Sequence, residues 1–107
     1  MKILFEDTGI EELIKNGSSK KYKKIAKNKA FVEDLRVVYS ILLSANKTAD
    51  LAKYKSLHYE KLKYNMSGFS SVRISFTKVE RLIFRELSDG VEIVLIEIDD
   101  THYGNKK

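Results

Sequence analysis

VEIVLIEI, residues 91–98, is the most apolar stretch of the chain, and DDTHYGNKK, residues 99–107, follows it directly. The run is rich in β-branched side chains and is preceded by Ser88-Asp89-Gly90, which gives it the length and boundaries of a strand. Being apolar on both faces for most of its length, it predicts a strand that is covered on both sides or lies centrally in a sheet. Asp89-Gly90 supplies the positive φ of a tight hairpin turn, so RLIFREL, residues 81–87, is its antiparallel neighbour. Upstream, SSVRISF (70–76) and SLHYEKLKY (56–64) repeat with period two, separated by NMSG and TKVE. In SSVRISF the alternation predicts Val72, Ile74 and Phe76 inward, with Ser71, Arg73 and Ser75 outward.

Before this meander the pattern is helical. Met1 to Phe5 reads as a short strand. Thr8 and Glu11 stand at capping-box spacing, Ile10, Leu13 and Ile14 share a face, and Gly17 marks a stop. From Ser19 to Asn46 there is neither Gly nor Pro, and Tyr22, Ile25, Val32, Leu35, Tyr39 and Leu42 recur at helical spacing. One long amphipathic helix is expected there, followed by a single turn in TADLAKY. The fold class is therefore α+β: a single two-layer domain over residues 1–107, with the N-terminal strand and helices packed on one face of a curved, mainly antiparallel sheet. The polar face of the meander is where a ligand would sit.

Composition narrows the function. The 107 residues contain no cysteine and two histidines, so a thiolate or zinc site is not expected, nor any cofactor. No apolar run is long enough for a membrane span and MKILFEDTG is a poor signal peptide, which predicts a cytoplasmic protein. The net charge is +5, and residues 13–32 carry seven lysines and no acid. Among them Lys20, Lys21, Lys23, Lys24 and Lys27 form a one-signed block suited to RNA, a ribosome or an acidic protein, or else a solvated helix face.

Along the meander, Lys61 and Lys63 on one strand, Arg73 on the next, Arg81 opening the third, and His102 with Tyr103 after the last form a cationic series. Cleaving RNA through its own 2′-hydroxyl needs a base, cations for the phosphorane-like charge and an acid for the departing 5′-oxygen, and no metal. Histidine suits the proton transfers, arginine the phosphate oxygens, and tyrosine can stack on a base or donate a proton. The plainer alternative pairs Arg73 and Arg81 with Glu60, Glu86 or Glu97. His58, on the opposite strand face from Lys61, is expected to be a packed residue.

The segments TADLAKYKSLHYEKLKYNMSGFSSVRIS, ERLIFREL and VEIVLIEIDDTHYG together resemble the RelE/HigB superfamily of bacterial toxins, most closely its HigB or plasmid-killer branch. The markers are the strand ending Leu62-Lys63, Ser71-Val72-Arg73-Ile74, Arg81-Leu82-Ile83-Phe84-Arg85 and the closing His102. The resemblance implies a type II toxin that enters the ribosomal A site and cuts mRNA without metal until an antitoxin, expected to be a helix-turn-helix protein from an adjacent gene, sequesters it. By position, Arg73 and Arg81 match phosphate-stabilising residues and His102 the acting C-terminal histidine, with Tyr103 beside it. Ser71 stands where some RelE relatives carry a catalytic lysine. Two other readings share the superfamily: a ParE-like inhibitor of DNA gyrase, and an inactive relative serving as a binding module.

Overall fold

The computed structural model describes residues 1–63, 67–75 and 78–99. Five strands form one mixed sheet in the order β1-β5-β4-β3-β2, with β1 Lys2–Phe5, β2 Glu60–Lys61, β3 Ser70–Arg73, β4 Arg81–Leu87 and β5 Glu92–Asp99. β5 is central between β1 and β4, as its apolar sequence requires. It runs parallel to β1 and antiparallel to β4, and the remaining neighbours are antiparallel. The β4–β5 turn places Ser88, Asp89 and Gly90 all at positive φ. Ile83 lies opposite Glu97 and Phe84 opposite Leu95, so Ile96 is an extra residue in β5 that kinks the ladder.

Helix α1, Thr8–Asn16, starts at Asp7, whose carboxylate accepts the Gly9 amide at 2.8 Å, and ends at Gly17 in the left-handed region. The first helix was thus legible, although Asp7 and not Thr8 is the cap. The expected long helix is broken. Ser19 to Tyr22 form a turn in which the Ser19 hydroxyl accepts the Tyr22 amide; α2 covers only Lys23–Lys27 and α3 runs Lys29–Ser44. Asn28 explains the break: its backbone is extended and its side chain accepts the Phe31 amide, capping α3 at the expense of helix continuity.

Thr48–Lys53 forms a 3-10 turn, a tighter version of the expected helical turn. The strand predicted across SLHYEKLKY is cut to Glu60–Lys61, because Lys55–Leu57 winds into another 3-10 turn closed by His58 at φ 47°. His58 is exposed and not packed in a strand.

The core lies between helices and sheet. Ile10 and Leu13 from α1, Phe31, Val32, Leu35, Val38 and Leu42 from α3, and Val72, Leu82, Phe84, Ile93, Leu95 and Ile98 from the sheet are buried together. A fully buried leucine side chain contributes roughly 2 kcal/mol, so this one face supplies most of the burial that holds the layers together. The second sheet face is less polar than the alternation suggested. Ile83 and Leu62 are buried outside the main cluster, and Arg85 lies over the Phe69 ring at 5.2 Å. Val72 and Ile74 are buried as expected, but so are Ser71 and Ser75; Phe76 lies outside the described residues.

Candidate active site

The end of the sheet where β3 stops and β4 begins brings two arginines together. Arg73 and Arg81 are directly opposed across the ladder, and Arg81 is in turn opposite Asp99 on β5. The Arg81 guanidinium is fixed by neutral oxygens: Nε donates to Ser71 Oγ at 3.0 Å and one terminal nitrogen donates to the His58 carbonyl at 2.7 Å. This accounts for the burial of Ser71, which was expected to face outward. It also explains the left-handed His58, because the turn it closes presents its carbonyl to the arginine.

Neither bond uses a carboxylate. The pairing of Arg73 or Arg81 with Glu60, Glu86 or Glu97 that would make them plain structural residues is absent from the ion pairs among the described residues. Two arginines opposed on neighbouring strands repel one another, which weakens the pair of strands. Arg73 also borders a cavity of about 390 Å³ between α3 and the sheet end, with Asp34, Val37, Ile41, Ser56 and Leu57.

Lys61 does not join this group. It is opposite Ser70, whereas Glu60 is opposite Ser71, so the pleat turns Lys61 to the other face from Arg81. There it borders a groove with Lys47, Thr48, Tyr59 and Glu86. Lys63 is exposed just beyond β2. His102 and Tyr103 lie outside the described residues.

Glu86, which the cationic series left out, is the hub of a polar cluster. Its carboxylate accepts hydrogen bonds from Thr48 Oγ1 at 2.8 Å, Ser70 Oγ at 2.7 Å and the Tyr59 hydroxyl. Burial alone would raise its pKa, but the bonds from Tyr59, Ser70 and Thr48, with the charge of Lys61, outweigh it and hold the carboxyl below its ordinary value. Tyr59 is pushed up to about 12 by burial and by its bond to Glu86. The cluster ties the 3-10 turn, the approach to β2, and strands β3 and β4 to one anion. In sequence Glu86 stands between Arg85 and Leu87, and nothing local marks it as a buried acceptor.

The basic segment is presented outward. Lys20, Lys23, Lys24 and Lys27 are exposed, and α2 has no buried residue. Lys21 differs, since its amine reaches the buried Asp7 carboxylate at 2.9 Å.

No family model and no curated protein matches the sequence. Solved structures do match over nearly the whole chain. A YoeB/ParE toxin from Agrobacterium tumefaciens superposes with a TM-score of 0.54 at 16% identity, covering 95% of this chain and 100% of that one. The structure of a YoeB-YefM complex from Staphylococcus aureus gives 0.55 at 24% identity, covering 96% and 98%. The RelBE2 toxin-antitoxin complex from Mycobacterium tuberculosis gives 0.50 at 17%, covering 94% and 96%. With its sheet order, its helical layer and this span of agreement, the chain has the fold of the YoeB/ParE and RelE toxins.

Proposed function

We propose that the protein is the toxin of a type II toxin–antitoxin pair and a metal-independent endoribonuclease acting on mRNA in the ribosomal A site, in the cytoplasm. The observation that carries this reading is the opposed pair Arg73 and Arg81 at the sheet end, with Arg81 locked by neutral partners. Side-by-side cations lower stability, and a phosphate between them would relieve that cost.

In the reaction, the 2′-oxygen of one nucleotide attacks the adjacent phosphorus and the bond to the 5′-oxygen breaks, leaving a 2′,3′-cyclic phosphate and a 5′-hydroxyl. One proton leaves the 2′-hydroxyl and one is delivered to the 5′-oxygen. Arg81, held in place before substrate arrives, bears on the charge that grows on the phosphate oxygens; Arg73 shares it. His102 is the proton-transfer group and Tyr103 a stacking or proton-donating neighbour. Asp99 is opposite Arg81, and His102 follows it by three residues of sequence, a length of chain that spans at most about 11 Å. Lys20, Lys23, Lys24 and Lys27 supply affinity for the ribosome or RNA, and Lys63 and Lys61 flank the sheet edge.

The partner that silences the protein is an antitoxin from an adjacent gene. The test is expression of the parent and of Arg81→Ala in cells with transcripts mapped for new 5′ ends. New ends and growth arrest with the parent alone support the nuclease. Arrest without new ends, accompanied by loss of DNA supercoiling, would replace it with gyrase inhibition.

A further inference from the structure

β1 accompanies β5 only part of the way. Its last paired residue, Phe5, is opposite Leu95, and the chain then turns off, with the Glu6 and Asp7 amides both donating to the Leu95 carbonyl. Beyond that point no strand among the described residues lies beside the β1-side edge of β5. A buried amide there would be left without an acceptor, at a cost comparable to a lost hydrogen bond. The Ile98 amide instead donates to the Tyr22 hydroxyl at 3.1 Å, a buried contact between residues 76 apart in sequence.

Tyr22 is itself anchored. Its hydroxyl donates to Asp7 Oδ2 at 2.5 Å, and Asp7 also accepts from Gly9 and from the Lys21 amine. The phenol therefore stands in for the missing strand and connects β5 to the cap of α1. Ile98 is opposite Leu82, one step before the pairing of Asp99 with Arg81. The bulge at Ile96 lies between the end of β1 and this contact, so the ladder from β1 does not fix the strand's last residues.

We propose that Tyr22 is a positioning residue whose hydroxyl sets the end of β5, and with it the placement of Asp99 against Arg81, for the cleavage reaction. As a statement about cleavage it rests on the nuclease reading above. Burial and the bond to Asp7 push the phenol up to about 12, so it remains protonated and able to serve both partners through the neutral range.

The test uses the full chain and ribosomes programmed with a short mRNA. Tyr22→Phe removes only the hydroxyl. It should lower the rate at saturating ribosome by about tenfold or more while leaving the half-saturating concentration within about twofold. In the labelled protein, the Ile98 amide should exchange faster and the Arg81 Nε–H resonance should move. Leu42→Ala, a core change matched for loss of melting temperature, should retain the parental rate. Asp7→Asn keeps an acceptor for Gly9 and loosens the phenol's anchor, so it should move the same two signals by less. A parental rate with an unmoved Arg81 resonance in Tyr22→Phe overturns the inference, as does an equal rate loss in Leu42→Ala. If the parent cleaves nothing, the nuclease reading falls, and unmoved Ile98 and Arg81 signals would then overturn the positioning as well.

Discussion

Arg81 and His58 are joined by a 2.7 Å hydrogen bond from guanidinium to backbone carbonyl, across 23 residues of sequence. The histidine enters through its main chain, so its imidazole is dispensable. His58→Gly, which also suits φ 47°, should melt within a few degrees of the parent and cleave normally. Arg81→Lys retains the charge but loses the fork that reaches Ser71 and His58 together. Its cleavage rate should fall by about a hundredfold, measured on programmed ribosomes.

The other histidine should behave in the opposite way. His102→Gln is expected to keep the parental melting temperature to within a few degrees and to bind antitoxin, yet lose about a hundredfold or more in rate. Undiminished new 5′ ends in cells expressing it would remove His102 from the mechanism.

Acid and alkali should each unfold the protein through identifiable groups. Asp7 is held below its ordinary value of 3.8: burial opposes this, and bonds from Tyr22, Lys21 and Gly9 prevail. Glu86 is likewise below its ordinary 4.5. Both bind protons less readily when folded, so their contribution is complete above those values and is lost as pH falls through the lower folded values. Tyr22 and Tyr59 bind theirs more tightly when folded. Their contribution is complete below 10 and is lost as pH rises toward 12. Urea midpoints across pH should show both flanks, and Tyr59→Phe should blunt the alkaline one.

Glu86→Ala should cost about 2–4 kcal/mol in urea unfolding, because three hydroxyls lose one shared acceptor. Gly90→Ala should reach the same cluster from the turn. At φ +88° an added Cβ is strained, and it would lie 2.5 Å from Thr48 Oγ1, so about 2 kcal/mol or more is expected.

Reversing Lys23, Lys24 and Lys27 to glutamate should weaken ribosome association and flatten its salt dependence, with little loss of rate once ribosomes saturate. Lys21 is left out of this set because of its ion pair with Asp7. Sedimentation at increasing salt measures the first effect, and single-turnover cleavage the second.

What the sequence disclosed follows physical scale. β4 and β5 were legible because alternation and a positive-φ turn act over neighbouring residues, and α1 because its stop is a glycine. The break at Asn28 was hidden, since asparagine is tolerable in a helix until its side chain finds an amide to cap. The approach to β2 misread because SLHYEKLKY has strand composition, whereas its backbone is bent to offer His58's carbonyl to Arg81. The arginines of the site were visible in sequence; Ser71 as a support for Arg81 and Tyr22 as a support for Ile98 depend on contacts across the fold.

The parallel pairing of β1 with β5 has a consequence for the order of assembly. Lys2 to Phe5 find their strand partner among the described residues about ninety residues later in the chain, at Glu92 to Leu95. Closing so long a loop is entropically costly and slow, and it must await synthesis of the partner. During translation Lys2–Phe5 must thus wait for Glu92–Leu95 before it is housed. The sheet, and the Arg81 end braced through β5, can be completed only after β5 has cleared the ribosome that made it.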